Sequence, residues 1–201
     1  MQDVARWRQA RTVAQYGECV ALWLEGRLSH RPTSHYCEGV AAETTRILPT
    51  LTALNRSGFF ATEQSQPGCT PKLRAFGGTR PWQRAAVMGF VPTVHIDRVK
   101  RALSSVRGLE VKYSPPGSPS SPPTQVTCLT KAQAQVRLFG GVLDIAEIAE
   151  QFGPVPGWDD HPGLQAWTIT ALQQAWQVSV VDMLWGRNDT LWPALRRLAR
   201  S

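Results

Sequence analysis

Apolar residues recur at a helical spacing in several segments of this chain. The clearest segment follows Thr12, a residue type that caps helix N-termini, and it stops at Gly26. A shorter helical piece over residues 4–9 precedes it. The same spacing predicts further helices: one through Ile47 and Leu54 that closes at Gly58, one capped by Thr93 that ends at Gly108, one capped by Asp144 that reaches Phe152, one through Leu164 and Leu172, and a last one capped by Asn188 or Asp189.

Short apolar or alternating runs predict about six strands between these helices. The runs are FFAT (59–62), AAVMGFV (85–91), LEVKY (109–113), QVTCLT (125–130), QVRLF (135–139) and WQVSVVDM (176–183). This mixed order predicts an α+β fold, with a single mixed or largely antiparallel sheet and helices packed mainly on one face. One domain over residues 1–201 accommodates all of these elements.

A proline-rich segment, SPPGSPSSPPT at 114–124, interrupts the pattern between two predicted strands. Proline donates no backbone hydrogen bond to a sheet and does not fit a helix interior. We therefore expect a mobile surface loop inserted in the domain, and not a boundary between two domains.

Composition narrows the class of protein. Of the 201 residues, 42% are hydrophobic, which is enough for a core and argues against overall disorder. The net charge of +7 favours anionic partners such as nucleotides or nucleic acid. The sequence shows no 18-residue apolar run and no apolar leader, so we expect a cytoplasmic protein without a membrane partner. The four cysteines form no CxxC pair, which argues against a disulfide framework.

The stretch GFFATEQSQPG at 58–68 passes directly from apolar to polar residues. Its end, residues 66–69, suits a type II turn, with proline second and glycine third. We interpret the polar run as the lip of a pocket that binds an anion or a nucleobase, because guanidinium, amide and hydroxyl groups beside a tryptophan suit such ligands. The residues expected to line this pocket are Arg56, Thr62, Ser65, Gln66, Trp82, Gln83 and Arg84. The alternative is a polar turn that bonds its own neighbours, with Arg84 in a structural salt bridge.

A second polar group follows the last predicted strand, in VVDMLWGRND. A carboxylate at the end of a buried strand is a frequent general base, so Asp182 is the candidate catalytic residue and Arg187 a further ligand-binding residue. The alternative assigns both residues to structure, as an ion pair, with Asp189 as a helix cap.

Metal and cofactor motifs are weak in this sequence. His30, His35 and Cys37 are types that bind zinc, but their spacing matches no structural zinc motif. The sequence contains no GxGxxG, Walker, HExxH or GxSxG pattern. We therefore expect neither a metal nor a cofactor.

Three segments carry a resemblance to a known family: LNRSGFFATEQSQPG (54–68), QRAAVMGF (83–90) and WQVSVVDMLWGRNDTLW (176–192). Together they resemble an uncharacterised family of actinobacteria and their phages, a domain of unknown function. The resemblance implies a bacterial or phage protein of the cytoplasm. It also implies that the polar residues of the three segments belong to one shared site.

Two functions follow from these observations. The first is binding of a phosphorylated or nucleotide-like small molecule, with or without a reaction, in the pocket beside Arg84. The second is a non-enzymatic accessory or inhibitor role, in which the basic surface and the C-terminal Arg196, Arg197 and Arg200 bind nucleic acid or a protein. The sequence leaves the oligomeric state open.

Overall fold

The structure is a computed structural model that describes residues 2–29, 31–32, 40, 42–70, 82–128, 137–154 and 163–201. Seven α-helices lie in these ranges: α1 (Gln2–Gln9), α2 (Val13–Leu24), α3 (Leu48–Arg56), α4 (Ile96–Ser104), α5 (Ile145–Phe152), α6 (Ala166–Gln173) and α7 (Leu191–Arg200). Two 3-10 helices, Ala42–Ile47 and Thr93–His95, lead into α3 and α4. None of the helices in the described ranges has the length and apolar character needed to cross a bilayer.

The same ranges contain six strands: β1 (Ala61–Gln66), β2 (Trp82–Val91), β3 (Leu109–Ser114), β4 (Thr124–Cys128), β5 (Arg137–Phe139) and β6 (Trp176–Trp185). Four of them form one open antiparallel sheet in the order β1-β2-β6-β3. The predicted α+β class is confirmed. The sheet itself has four strands where the sequence predicted about six, because β4 and β5 form a separate ribbon.

The β4–β5 ribbon joins the sheet at the first two residues of β2, which pair with the end of β4. A small apolar cluster packs the ribbon against the sheet, and its members are Ala86, Met88, Val126, Phe139 and Val181. Gly140, directly after β5, lies so close to β6 that a Cβ there would be 2.4 Å from Ser179 Oγ. The ribbon therefore covers part of one face of the sheet.

The main core lies on the other face and receives side chains from all seven of the helices described above. Phe90 of β2 packs edge-on against Phe152 of α5, with 5.8 Å between ring centroids. Phe152 in turn packs against Tyr16 of α2 at 6.0 Å. These aromatic contacts join the sheet to two helices through buried side chains.

Two of the predicted helix caps are present. Thr12 Oγ1 accepts a hydrogen bond from the Gln15 N–H at 3.1 Å, at the start of α2. Asp144 forms a capping box with Glu147 at the start of α5. Both residues stand directly before an apolar helical pattern, which is why the sequence located them.

The other two predicted caps are wrong. Thr93 lies inside a 3-10 helix whose N-cap is Pro92, and it does not cap α4. The N-cap of α7 is Thr190, which makes no side-chain cap bond. Asn188 precedes that position, and its side-chain amide bonds to Gly68 in the loop after β1.

The polar run after FFAT belongs to a strand. β1 extends from Ala61 to Gln66, so the two phenylalanines precede it and the four polar residues that follow FFAT lie within it. The pairing of β1 with β2 shifts between Thr62 and Gln64, which leaves Glu63 as the extra residue of a β-bulge. The prediction of a strand ending at Thr62 is therefore wrong, since pairing with β2 extends β1 beyond the apolar run.

The proline-rich segment lies between β3 and β4. Ser120 donates a hydrogen bond to the Glu147 carboxylate at 2.7 Å, and Ser121 forms a bridge with Val142. These contacts attach the segment to the start of α5. Its mobility stays a prediction.

Candidate functional site

A groove of about 380 Å³ lies between α7 and the segment that leads into α3. Four arginines line it: Arg46, Arg196, Arg197 and Arg200. Thr50, Asn188 and Trp192 also contribute to its walls. We call this feature the arginine groove.

The amphipathic pattern of α7 places its arginines on the groove. Leu191, Leu195 and Leu198 are buried in the main core. Arg196, Arg197 and Arg200 occupy positions between and after these leucines and are exposed. The helix thus presents one apolar face to the core and three guanidinium groups to the groove.

Two of the four guanidinium groups are held in place by neutral oxygen atoms. Arg196 donates through Nε and Nη2 to Thr50 Oγ1 at 3.3 and 3.1 Å. Arg46 donates to the Gly68 carbonyl oxygen. Within the described part of the chain, the ion pairs involve other cationic residues and no carboxylate pairs with a groove arginine. Among the described residues, the positive charge of the groove is therefore left without a partner of opposite sign.

Asn188 connects the groove to the loop after β1. Its Oδ1 accepts a hydrogen bond from the Gly68 N–H at 2.8 Å, and its Nδ2 donates to the Gly68 carbonyl at 2.9 Å. The Trp192 indole N–H donates to the same Oδ1 at 3.1 Å. Two of the three sequence segments that resemble a known family therefore meet at the edge of the groove.

Gly68 is required for a close contact, not for a type II turn. Its φ is not positive, whereas the third residue of a type II turn needs φ > 0, so that prediction is wrong. A Cβ on Gly68 would lie 2.4 Å from the Arg187 carbonyl oxygen. The backbone of the loop therefore packs directly on the backbone that follows β6.

The structure brings together Gln66, Gln83 and Arg84 from the predicted pocket. Gln66 Nε2 donates to the Arg84 carbonyl at 2.9 Å, and the backbones of Gln83 and Cys69 exchange hydrogen bonds of 2.8 and 3.0 Å. The Arg84 guanidinium lies 4.4 Å from the centroid of the Trp185 ring. Gln66 and Arg84 therefore lie together because β1 pairs with β2.

Ser65 and Trp82 lie in the same pair of strands. Ser65 is half-buried opposite Val87, and Trp82 begins β2 opposite Cys128. The pocket at this corner stays a prediction, since residues 71–81, which connect the two strands, lie outside the described residues.

Asp182 and Arg187 form an ion pair at the end of β6. The Arg187 Nε lies 2.8 Å from each carboxylate oxygen, and its Nη2 lies 2.7 Å from Oδ1. The Leu184 N–H also donates to Oδ1 at 3.0 Å, and the carboxylate is fully buried. These contacts occupy both carboxylate oxygens that a general base would use, and they form the ion pair that the structural alternative describes.

Arg56 and Thr62 lie apart from the other predicted residues. Arg56 is exposed at the end of α3 and pairs with Glu25, at 2.6 Å, and with Glu18, at 3.6 Å. Thr62 is buried, donates its N–H to Asn55 Oδ1 and accepts a bond from Asn55 Nδ2. Both side chains therefore hold neighbouring helices and strands together.

A family model described as a domain of unknown function, DUF6919, matches residues 2–201. The chain belongs to this family. The expectation of an uncharacterised family is thereby confirmed, and the family domain includes the arginine groove. No curated protein matches the sequence.

Glu63 belongs to a buried polar cluster with Arg31 and Tyr16. Arg31 donates to the backbone carbonyls of Glu63 and Thr62 at 2.7 and 2.9 Å and to the Tyr16 hydroxyl at 3.1 Å. The Glu63 Oε1 accepts from Gln151 at 2.7 Å, while no described residue donates a well-formed hydrogen bond to its Oε2. Burial raises the pKa of Glu63, and the nearby Arg31 charge opposes that rise.

Sequence reasoning missed Arg46 and Thr50 as parts of a site. Arg46 lies in the 3-10 helix before α3, and Thr50 lies in the first turn of α3. The sequence around these two residues does not indicate that α7 packs beside them. The clustering of arginines in α7 is the one feature of the sequence that indicates a basic site in this region. His30, His35 and Cys37, the zinc-type residues, lie outside the described residues.

Proposed function

We propose that the chain binds a phosphate-bearing small molecule in the arginine groove. The observation that carries this proposal is the set of four arginines without a carboxylate partner in the described chain. The planar guanidinium matches pairs of phosphate oxygens and forms charge-assisted hydrogen bonds with them. A volume of 380 Å³ falls in the usual range for small-molecule sites, about 300 to 1,000 Å³.

Preorganisation supports the same proposal. Arg46 and Arg196 are oriented by a carbonyl and a hydroxyl, which fix the guanidinium groups without neutralising them. A ligand then loses less free energy to the ordering of side chains when it binds. The proposed ligand class is the one that the sequence predicts. The proposed site is the arginine groove and not the pocket beside Arg84.

The proposal concerns binding and does not include a reaction. Asp182, the candidate general base, bonds to Arg187 and to a backbone N–H, and it does not line the groove. A catalytic role for Asp182 stays a prediction. A cytoplasmic location and an actinobacterial or phage origin, implied by the sequence resemblance, also stay predictions.

Nucleic acid is the second candidate ligand, and one observation favours it. The basic surface continues from α7 onto α4, where Arg98 donates to Ser201 Oγ at 3.3 Å and Arg101 is exposed. A surface of this kind attracts the phosphate backbone of a longer polymer. Binding would then fall steeply as salt concentration rises.

Calorimetric titration with ATP, and separately with a short single-stranded DNA, tests both candidates. The double variant Arg46→Gln/Arg196→Gln is expected to lose ATP binding, because both oriented guanidinium groups are gone. Arg8→Gln, which removes an exposed charge from α1, is the matched control and is expected to bind as the wild type does. Failure of the wild type to bind ATP, combined with salt-sensitive DNA binding, would favour nucleic acid and overturn the first proposal.

A further inference from the structure

The arginine groove carries more positive charge than one phosphate group neutralises. Its four guanidinium groups supply four positive charges. A phosphate monoester carries about −1.5 to −2 at neutral pH. One phosphate would therefore leave about half of the charge of the groove without a partner.

The four guanidinium groups also fall into two sets according to whether a hydrogen bond to the protein holds them. Arg46 and Arg196 are each held by a neutral oxygen, on Gly68 and Thr50 respectively. Arg197 and Arg200 lie three positions apart, so they occupy successive turns of one face of α7, with a rise of about 5.4 Å per turn. Like charges at this spacing repel each other, and a bound anion removes the repulsion.

We infer that the ligand of the groove carries at least two linked phosphate groups, as in a nucleoside diphosphate or triphosphate. This inference rests on the proposed function and names the ligand class for the same site. Arg46 and Arg196 bind one phosphate group. Arg197 and Arg200 bind the next, further along α7.

The test compares the affinities of AMP and ADP, and those of inorganic phosphate and pyrophosphate, at one ionic strength. ADP and pyrophosphate are expected to bind at least about tenfold more tightly than AMP and phosphate, because each gains charge-assisted hydrogen bonds to a second pair of arginines. The paired comparisons separate the phosphate chain from the nucleoside, since two of the four probes contain no nucleoside.

Two double variants assign the phosphate groups to the two sets of arginines. Arg197→Gln/Arg200→Gln is expected to bring the affinity for ADP close to that for AMP while leaving AMP binding within about twofold. A general effect of charge would instead appear equally in the control Arg8→Gln/Arg107→Gln, whose positions are exposed and lie outside the groove. The control therefore keeps the comparison specific to the site.

The outcomes distinguish this inference from the proposed function. Equal binding of AMP and ADP, both lost in Arg46→Gln/Arg196→Gln, would overturn the diphosphate inference and keep the phosphate site. Absence of binding by all four probes would overturn both.

Discussion

Gly68 and Asn188 exchange two hydrogen bonds across 120 residues of sequence. The asparagine side chain accepts from the glycine N–H at 2.8 Å and donates to its carbonyl at 2.9 Å, so it pairs with the loop as a neighbouring strand would. Arg46 bonds to the same carbonyl. One short loop thus aligns Arg46 with α7, and the shape of the arginine groove depends on it.

Replacement of Asn188 by alanine tests this dependence. The change leaves the buried N–H of Gly68 and the Trp192 indole N–H without their acceptor, which costs about 1 to 3 kcal/mol of unfolding free energy. Urea denaturation measures the loss. Asp189→Ala, at the exposed neighbouring position, is the control and is expected to stay within about 0.5 kcal/mol of the wild type. Equal effects of the two substitutions would show that the paired hydrogen bonds contribute nothing.

Gly68→Ala tests the close packing of the same loop. The added Cβ would meet the Arg187 carbonyl oxygen at 2.4 Å, so the loop or the backbone after β6 has to move. We expect a loss of about 1 to 3 kcal/mol, as for other overpacked positions. Gly141→Ala is the matched control, because its nearest neighbour would be 3.4 Å away and its φ is not positive. If both variants unfold at the wild-type temperature, the contact is not tight.

Local pattern located most of the elements. Thr12 and Asp144 cap their helices because a capping hydrogen bond joins residues three positions apart, which a sequence shows directly. The predicted strand FFAT begins and ends before β1 does, because the polar half of β1 is a strand only through its pairing with β2. An apolar run in the sequence does not indicate that pairing. A strand with a buried bulge is defined by its partners more than by its own residues.

The site depends on contacts that are distant in sequence. Asn188 is a residue type that often caps helices, yet its side-chain amide bonds to Gly68. The local sequence does not show whether the amide bonds to the helix end or to the distant loop. Arg46 and Arg196 reach the groove because α3 and α7 pack together, which the pattern of either helix alone does not predict. The sequence shows the arginines of α7 as a basic cluster. It does not show that Arg46 and Thr50 line the same groove.

Removal of Arg187 tests the ion pair at the end of β6. Arg187→Ala leaves the fully buried Asp182 carboxylate without its guanidinium partner. We expect a loss of about 2 to 3 kcal/mol, since the guanidinium is partly exposed and the pair is only partly removed from water. Chemical denaturation at neutral pH measures it.

The matched comparison for this pair is Arg56→Ala, which breaks an exposed ion pair with Glu25. Surface pairs contribute about 1 kcal/mol or less, so this variant is expected to be nearly as stable as the wild type. Combining Arg187→Ala with Asp182→Asn removes the unpaired charge and should recover part of the loss. A double variant that is no more stable than the single one would contradict this account of the pair.

The buried carboxyl of Glu63 gives the fold a dependence on pH. Its pKa is raised from the ordinary value of 4.5, chiefly by burial, so the folded protein favours the protonated form more than the unfolded chain does. The preference for the protonated carboxyl therefore stabilises the folded state. This contribution is complete below pH 4.5 and is lost as pH rises through the pKa of Glu63 in the folded state. Glu63→Gln keeps a neutral side chain that Gln151 can still contact, and it removes this titration.

The measurement is the melting temperature of the wild type and of Glu63→Gln over a series of pH values. The stability of the wild type relative to the variant is expected to fall as pH rises above 4.5, because the carboxylate becomes charged in a buried position. Arg31 limits the fall, since its charge lies near the carboxylate and its guanidinium bonds to the backbone of the same bulge. A difference in melting temperature that stays constant with pH would mean that Glu63 keeps one protonation state throughout, and that burial does not govern its ionisation.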